Sequence, residues 1–142
     1  VVLIAAILPM ATALEASGGL DLVVGGLVHA LGASGPLVVM AALFVLTSAF
    51  SQVISNTATT VLLAPVAYAA AGTLDVHPAA LLMTVAVAAS TAFATPVASP
   101  VNTLVLTPGR YRFTDFLKVG LPIVLLMLAA TLLVVPIFFP LT

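Results

Sequence analysis

Residues 51–60, SQVISNTATT, hold two serines, three threonines, a glutamine and an asparagine in the middle of a run that carries no formal charge from Leu22 to Leu74. So apolar a segment has no aqueous surface to decorate, so polar side chains gathered at its centre call for a buried use. The run around them divides into two apolar legs, 36–54 and 57–72, of 19 and 16 residues. As helices these legs reach about 28 and 24 Å at 1.5 Å per residue, against a bilayer hydrocarbon core of about 30 Å. Two full crossings would also leave Ser55, Asn56 and Thr57 at a membrane surface, where the polar residues leading up to them have no role. A re-entrant helical hairpin over 36–72, with its tip at 55–57, fits better. Irregular backbone at that depth must be buried in protein or line a wet cavity.

The spacing agrees. Ser48, Ser51, Gln52 and Ser55 fall at i, i+3, i+4 and i+7, and Asn56, Thr59 and Thr60 begin a matching face on the second leg. Two polar stripes therefore converge on one tip. The plainer alternative is that small hydroxylated residues merely let helices pack closely in a membrane; the concentration of these side chains beside Gln52 and Asn56 favours a site.

The rest of the chain has the same character. Of its 142 residues, 63% are hydrophobic and 5% charged, where a soluble domain carries about 25% charged residues. Charge-free runs extend over 76–109 and 119–142, too long for the apolar core of a signal peptide. The chain is expected to be an all-α integral membrane protein. With no cysteine it has no disulfide framework or thiolate chemistry, and three basic residues with a net charge of −1 make no nucleic-acid surface. The opening VVLIAAILPM, hydrophobic at once and without a starting methionine, reads as the interior of a longer protein.

Residues 1–35 are expected to hold the end of a transmembrane helix, to about Leu14, and an interfacial helix over LDLVVGGLVHAL, 20–31. Residues 78–108 form a discontinuous transmembrane helix broken near 96–101, where Pro96 and Pro100 each remove a donor and clash with the preceding turn. Ser99, Asn102 and Thr103 gather at that break, and a kink without a site is the alternative there. Residues 109–142 form a basic loop, GRYRFTDFLKVG, and a final helix. Positive loops stay cytoplasmic, which puts the C-terminus outside.

A re-entrant tip facing a broken helix suits ion-coupled transport. Asn56 and Thr57 open the second leg with main-chain amides lacking intrahelical acceptors, and with their side chains they offer donors to carboxylate or sulfate oxygens. Ser51, Ser55, Asn56 and the carbonyls around Ala98 and Ser99 offer neutral oxygens, better matched to a releasable sodium ion than to calcium or magnesium, which recruit carboxylates. Glu15, Asp21, Asp75 and Asp115 all lie near expected ends or loops, so a proton relay at depth has no carrier in this stretch. His29 and His77 are expected in interfacial or loop positions.

SNTATT, then TPVASPVNTLVL and PGRYRFTDFLKVGLP, resembles the divalent anion:sodium symporters of the ion transporter superfamily over about 38–140, and more weakly at LPMATALEASG. There a Ser-Asn-Thr triplet tips each of two hairpins, one per inverted repeat, and a Thr/Ser-Pro-x-Asn loop breaks the helix that follows. The resemblance implies sodium at Ser51, Ser55, Asn56 and the Ala98 carbonyl, and substrate at Asn56, Thr57, Ser99, Pro100 and Asn102. It implies elevator-type movement of a transport domain against a dimerising scaffold, with the N-terminal repeat and a second protomer as partners beside the lipid bilayer and a small anionic substrate. One triplet instead of two marks this stretch as the C-terminal repeat, and Gln52 with Thr95-Pro96-Val97-Ala98 resembles bacterial permeases of that family. An arsenite or sodium/proton antiporter-like permease and a non-transporting structural subunit remain as alternatives. An intramembrane enzyme would need a serine–histidine pair or two aspartates at depth, and neither is present.

Overall fold

A computed structural model describes residues 35–141 without a gap, together with residues 9, 12–13, 16–19, 22, 24–26 and 29. The helices expected over 1–14 and 20–31 lie largely outside the described residues, as do Glu15 and Asp21. From residue 36 onward five helices follow in order: α1 Pro36–Ser51, α2 Asn56–Leu74, α3 Pro78–Ala89, α4 Pro100–Leu106 and α5 Phe113–Phe138.

Each boundary has a local cause. Gly35 sits at φ 99°, a conformation open to glycine, and Pro36 follows at the first helical position, where its missing N–H is harmless. Ser55 is extended, and its Oγ accepts from the Ala58 amide at 3.3 Å, starting α2. Asp75 closes α2 in the left-handed region, φ 55°, while the Val76 amide reaches back to the Ala71 carbonyl at 3.1 Å. Nδ1 of His77 then accepts from the Ala79 amide at 3.3 Å and Pro78 opens α3. At the last helix, Asp115 accepts from the Arg112 amide at 2.8 Å and completes a capping box.

Met40, Leu43 and Phe44 of α1, Leu63, Val66, Ala67 and Ala70 of α2, and Ala80, Leu81, Val85 and Ala88 of α3 form the buried core. Alanine on facing helices lets backbones approach closely, the main source of packing energy where lipid is as apolar as leucine. α5 contributes only Gly120, Thr131 and Val135 as buried residues; Val124, Met127, Leu128 and Leu132 are half-buried and most of the remainder is exposed. Threonines inside the helices follow one pattern: Thr47, Thr60, Thr73, Thr84 and Thr131 each donate to the carbonyl four residues back. Thr59 departs from it. Fully buried, its Oγ1 has no partner among the described residues.

Two of these helices, α2 with 19 residues and α5 with 26, are long and apolar enough to cross a membrane. α1, with 16, is shorter. The broken helix opens earlier than the proline spacing suggests. Its first part ends at Ala89, residues 90–99 are non-helical, and the chain becomes helical again at Pro100. Proline pushes the residue before it out of the helical region, which accounts for Ser99 at φ −140°, ψ 139°. It does not account for residues 90–94. Those are held open from outside, by side chains of α1 and α4.

Candidate functional site

Ser51, the last residue of α1, is fully buried, and its Oγ lies 2.6 Å from the Ala89 carbonyl and 3.0 Å from Oδ1 of Asn56. A hydroxyl has one proton, so it cannot donate to both acceptors at once. It donates to Ala89, the shorter contact, and the Asn56 contact becomes a hydrogen bond only if the amide turns to present Nδ2. As placed, the hydroxyl, a side-chain carbonyl and a main-chain carbonyl meet at the mouth of the hairpin. Three neutral oxygens in one place are of the type that suits a weakly held monovalent cation better than a divalent one.

Gln52 forms the firmest joint between the hairpin and the unwound segment. Its Nε2 donates to the carbonyls of Ser48 at 3.3 Å and Thr91 at 3.0 Å. Its Oε1 accepts from the Ala94 amide at 3.0 Å, and its main-chain carbonyl accepts from the Thr95 hydroxyl at 2.8 Å. One turn earlier, the hydroxyls of Ser48 and Thr91 lie 3.0 Å apart. Main-chain groups that lose their helical partners within an apolar body must be satisfied otherwise, and these bonds do so.

α4 grips the same segment from its other end. Nδ2 of Asn102 donates to the carbonyls of Ala92 and Thr95, both at 3.1 Å, and the Thr103 hydroxyl to that of Pro96 at 2.8 Å. Gly120 of α5 supplies a third support. A Cβ at that position would overlap the Phe93 carbonyl and Cα of Ala94, so the helix backbone lies directly against the segment. Beside it a cleft of about 330 Å³ is lined by Phe93, Asn102, Tyr111, Asp115 and Phe116, with Tyr111 and Phe116 edge to face at 6.0 Å.

The expected site residues separate into three groups. Ser51 and Asn56 are in contact. Ser55 and Ser99 cap α2 and α4, Ser99 by accepting from the Val101 amide at 3.3 Å; Pro100 begins α4, and Asn102 braces the unwound segment. Thr57 is exposed in the first turn of α2, and Ala98 is buried in the unwound segment. Among the described residues the hydrogen bonds that cross from hairpin to unwound segment come from Ser48, Ser51 and Gln52. The Ala89 carbonyl and Gly120 had no signal in the sequence beyond an isolated glycine in an apolar helix.

Comparison with known proteins gives a consistent picture. The sequence model of a family described as citrate transporter matches residues 1–86. The transporter YfbS of Escherichia coli strain K12, described as uncharacterized, is 49% identical over 140 residues, 99% of this chain and 23% of that protein. Na(+)/dicarboxylate cotransporter 3 of Rattus norvegicus is 35% identical over 112 residues, 79% of this chain and 18% of that protein. The sodium-dependent dicarboxylate transporter SdcS of Staphylococcus saprophyticus is 29% identical over 144 residues, 94% of this chain and 28% of that protein. The chain thus spans under a third of the length of each of these relatives.

Proposed function

This chain belongs to the citrate-transporter family, and from that premise we propose that it supplies one of two inverted repeats of a sodium-coupled membrane carrier for small divalent anions, a dicarboxylate or sulfate. A transporter component and not an enzyme, it works by holding and releasing solutes. The observation that carries the sodium assignment is the meeting of Ser51 Oγ, Asn56 Oδ1 and the Ala89 carbonyl around one shared proton. A sodium ion seated between Ser51 Oγ and Asn56 Oδ1 would satisfy the lone pairs of both while the hydroxyl proton stays on the Ala89 carbonyl. Ser51, Ser55, Asn56 and the Ala98 carbonyl are its proposed ligands.

The anion is assigned to Asn56, Thr57, Ser99, Pro100 and Asn102. Main-chain amides of Asn56 and Thr57 at the start of α2 have no intrahelical acceptor, and the helix dipole favours negative charge there. Sodium held at Asn56 adds positive charge beside the anion, so each ligand raises the affinity for the other. The tip is proposed to lie within the bilayer as a re-entrant hairpin. It travels in elevator fashion with the unwound segment, to which Gln52 and Ser51 bind it, against a dimeric scaffold.

Uptake of labelled succinate, citrate and sulfate into liposomes holding the full-length protein tests this reading. Accumulation of at least one anion is expected with an inward sodium gradient and not with potassium. Equal uptake under both gradients overturns the coupling, and no uptake of any of the three overturns the substrate class.

A further inference from the structure

We propose that Gln52 is a positioning residue for the ion site. Resting on the transporter reading above, the proposal is that its side-chain amide sets the distance between the hairpin tip and the unwound segment, and so the shape of the cation's oxygen cage. The argument begins from the chemistry of an amide. Gln52 donates twice and accepts once through its side chain, to Ser48, Thr91 and Ala94, and accepts from Thr95 through its main chain. Its neighbour Ser51 reaches Ala89 and Asn56. Two consecutive residues therefore pin positions 89, 91, 94 and 95 of a segment that is non-helical from residue 90.

Nothing nearby offers a substitute. The cleft of about 220 Å³ that Gln52 borders is otherwise lined by Phe44, Ala94, Leu121, Leu125 and similar apolar groups, with Ser48 as the other polar side chain. α1, α2 and the unwound segment carry no charged residue, α3 none beyond the His77 cap at its far end, and α5 faces the cleft with leucines and Val124. Asp115 and Lys118 lie before that stretch. Losing the amide leaves the Ala94 amide without its partner and the Thr91 carbonyl with the Phe93 amide alone, and the segment relaxes away from Ser51.

The test uses the full-length carrier in liposomes, with variants compared at equal membrane abundance. Gln52→Leu is expected to raise the half-saturating sodium concentration about ten-fold, the effect of losing one or two hydrogen bonds, with a smaller change in maximal rate. Parent-like sodium activation in Gln52→Leu, or a loss confined to maximal rate with sodium affinity unchanged, would each overturn the proposal.

A second measurement separates its fate from that of the transport reading. In a Ser48→Cys/Thr91→Cys pair, oxidation is expected to close the cross-link several-fold faster with Gln52 present than with Gln52→Leu, whatever the protein carries. Equal rates overturn the positioning role. Sodium-independent uptake by the parent sinks the coupling and leaves the cross-link to decide on Gln52.

Discussion

At Ser51 one proton faces two acceptors, a mismatch that the proposed sodium ion would relieve. Asn56→Ala removes the amide oxygen that the proposal shares between sodium and anion, and Ser55→Ala removes both a sodium ligand and the cap of α2. Each is expected to weaken sodium activation and anion uptake together, by about ten-fold for loss of a polar contact of 1–2 kcal/mol. Dose–response curves for both solutes on the same proteoliposomes decide it, and parent-like kinetics in either variant would mean that the tip only packs. Side chains at this scale were largely legible. The 3.6-residue spacing placed Ser48, Ser51 and Gln52 on one face; Ser48 and Gln52 reach the unwound segment and Ser51 the last residue of α3 before it. The Ala89 carbonyl was not legible, because a main-chain oxygen leaves no trace in residue type. Thr59 stood in the same polar stripe as Thr60, yet Thr60 donates to its own helix and Thr59 is buried without a partner; that difference lies in rotamer and surroundings, which spacing does not encode.

Helices and their interruptions form the next level. The chain is helical on both sides of the tip and irregular before Pro100, as capping serines and prolines suggest. The length of the irregular stretch was hidden, because residues 90–94, STAFA, hold neither proline nor glycine to end the helix before them. Tertiary bonds from Gln52 and Asn102 hold the stretch open instead. Gly120 marks where α5 leans on this stretch. Gly120→Ala inserts a methyl against the Phe93 carbonyl and Cα of Ala94, a backbone-to-backbone overlap with no flexible side chain to yield. Overpacking of this kind costs about 1–3 kcal/mol. The variant is expected to reach the membrane and lose at least several-fold in uptake, with Gly120→Leu worse. Uptake equal to the parent in both would show that the segment does not depend on α5.

For the whole molecule, the chain belongs to the citrate-transporter family, and its part in a larger carrier is the reading proposed above. Arg110 and Arg112 between α4 and α5, with Lys118 in the second turn of α5, lead to an expected orientation: loop inside, C-terminus outside. A membrane-impermeant maleimide applied to intact cells should label Leu141→Cys and spare Thr114→Cys in a cysteine-free background. The reverse pattern inverts the proposed topology and the side toward which the hairpin opens.

The interruption between α3 and α4 is not centred. α3 has 12 residues and α4 has 7, arms of about 18 and 10 Å. In the proposed carrier, a cation held at the interruption would therefore sit off-centre between unequal arms. At about 2.3 kcal/mol per charge for each 100 mV, such a placement would couple its loading and its release unequally to the membrane voltage.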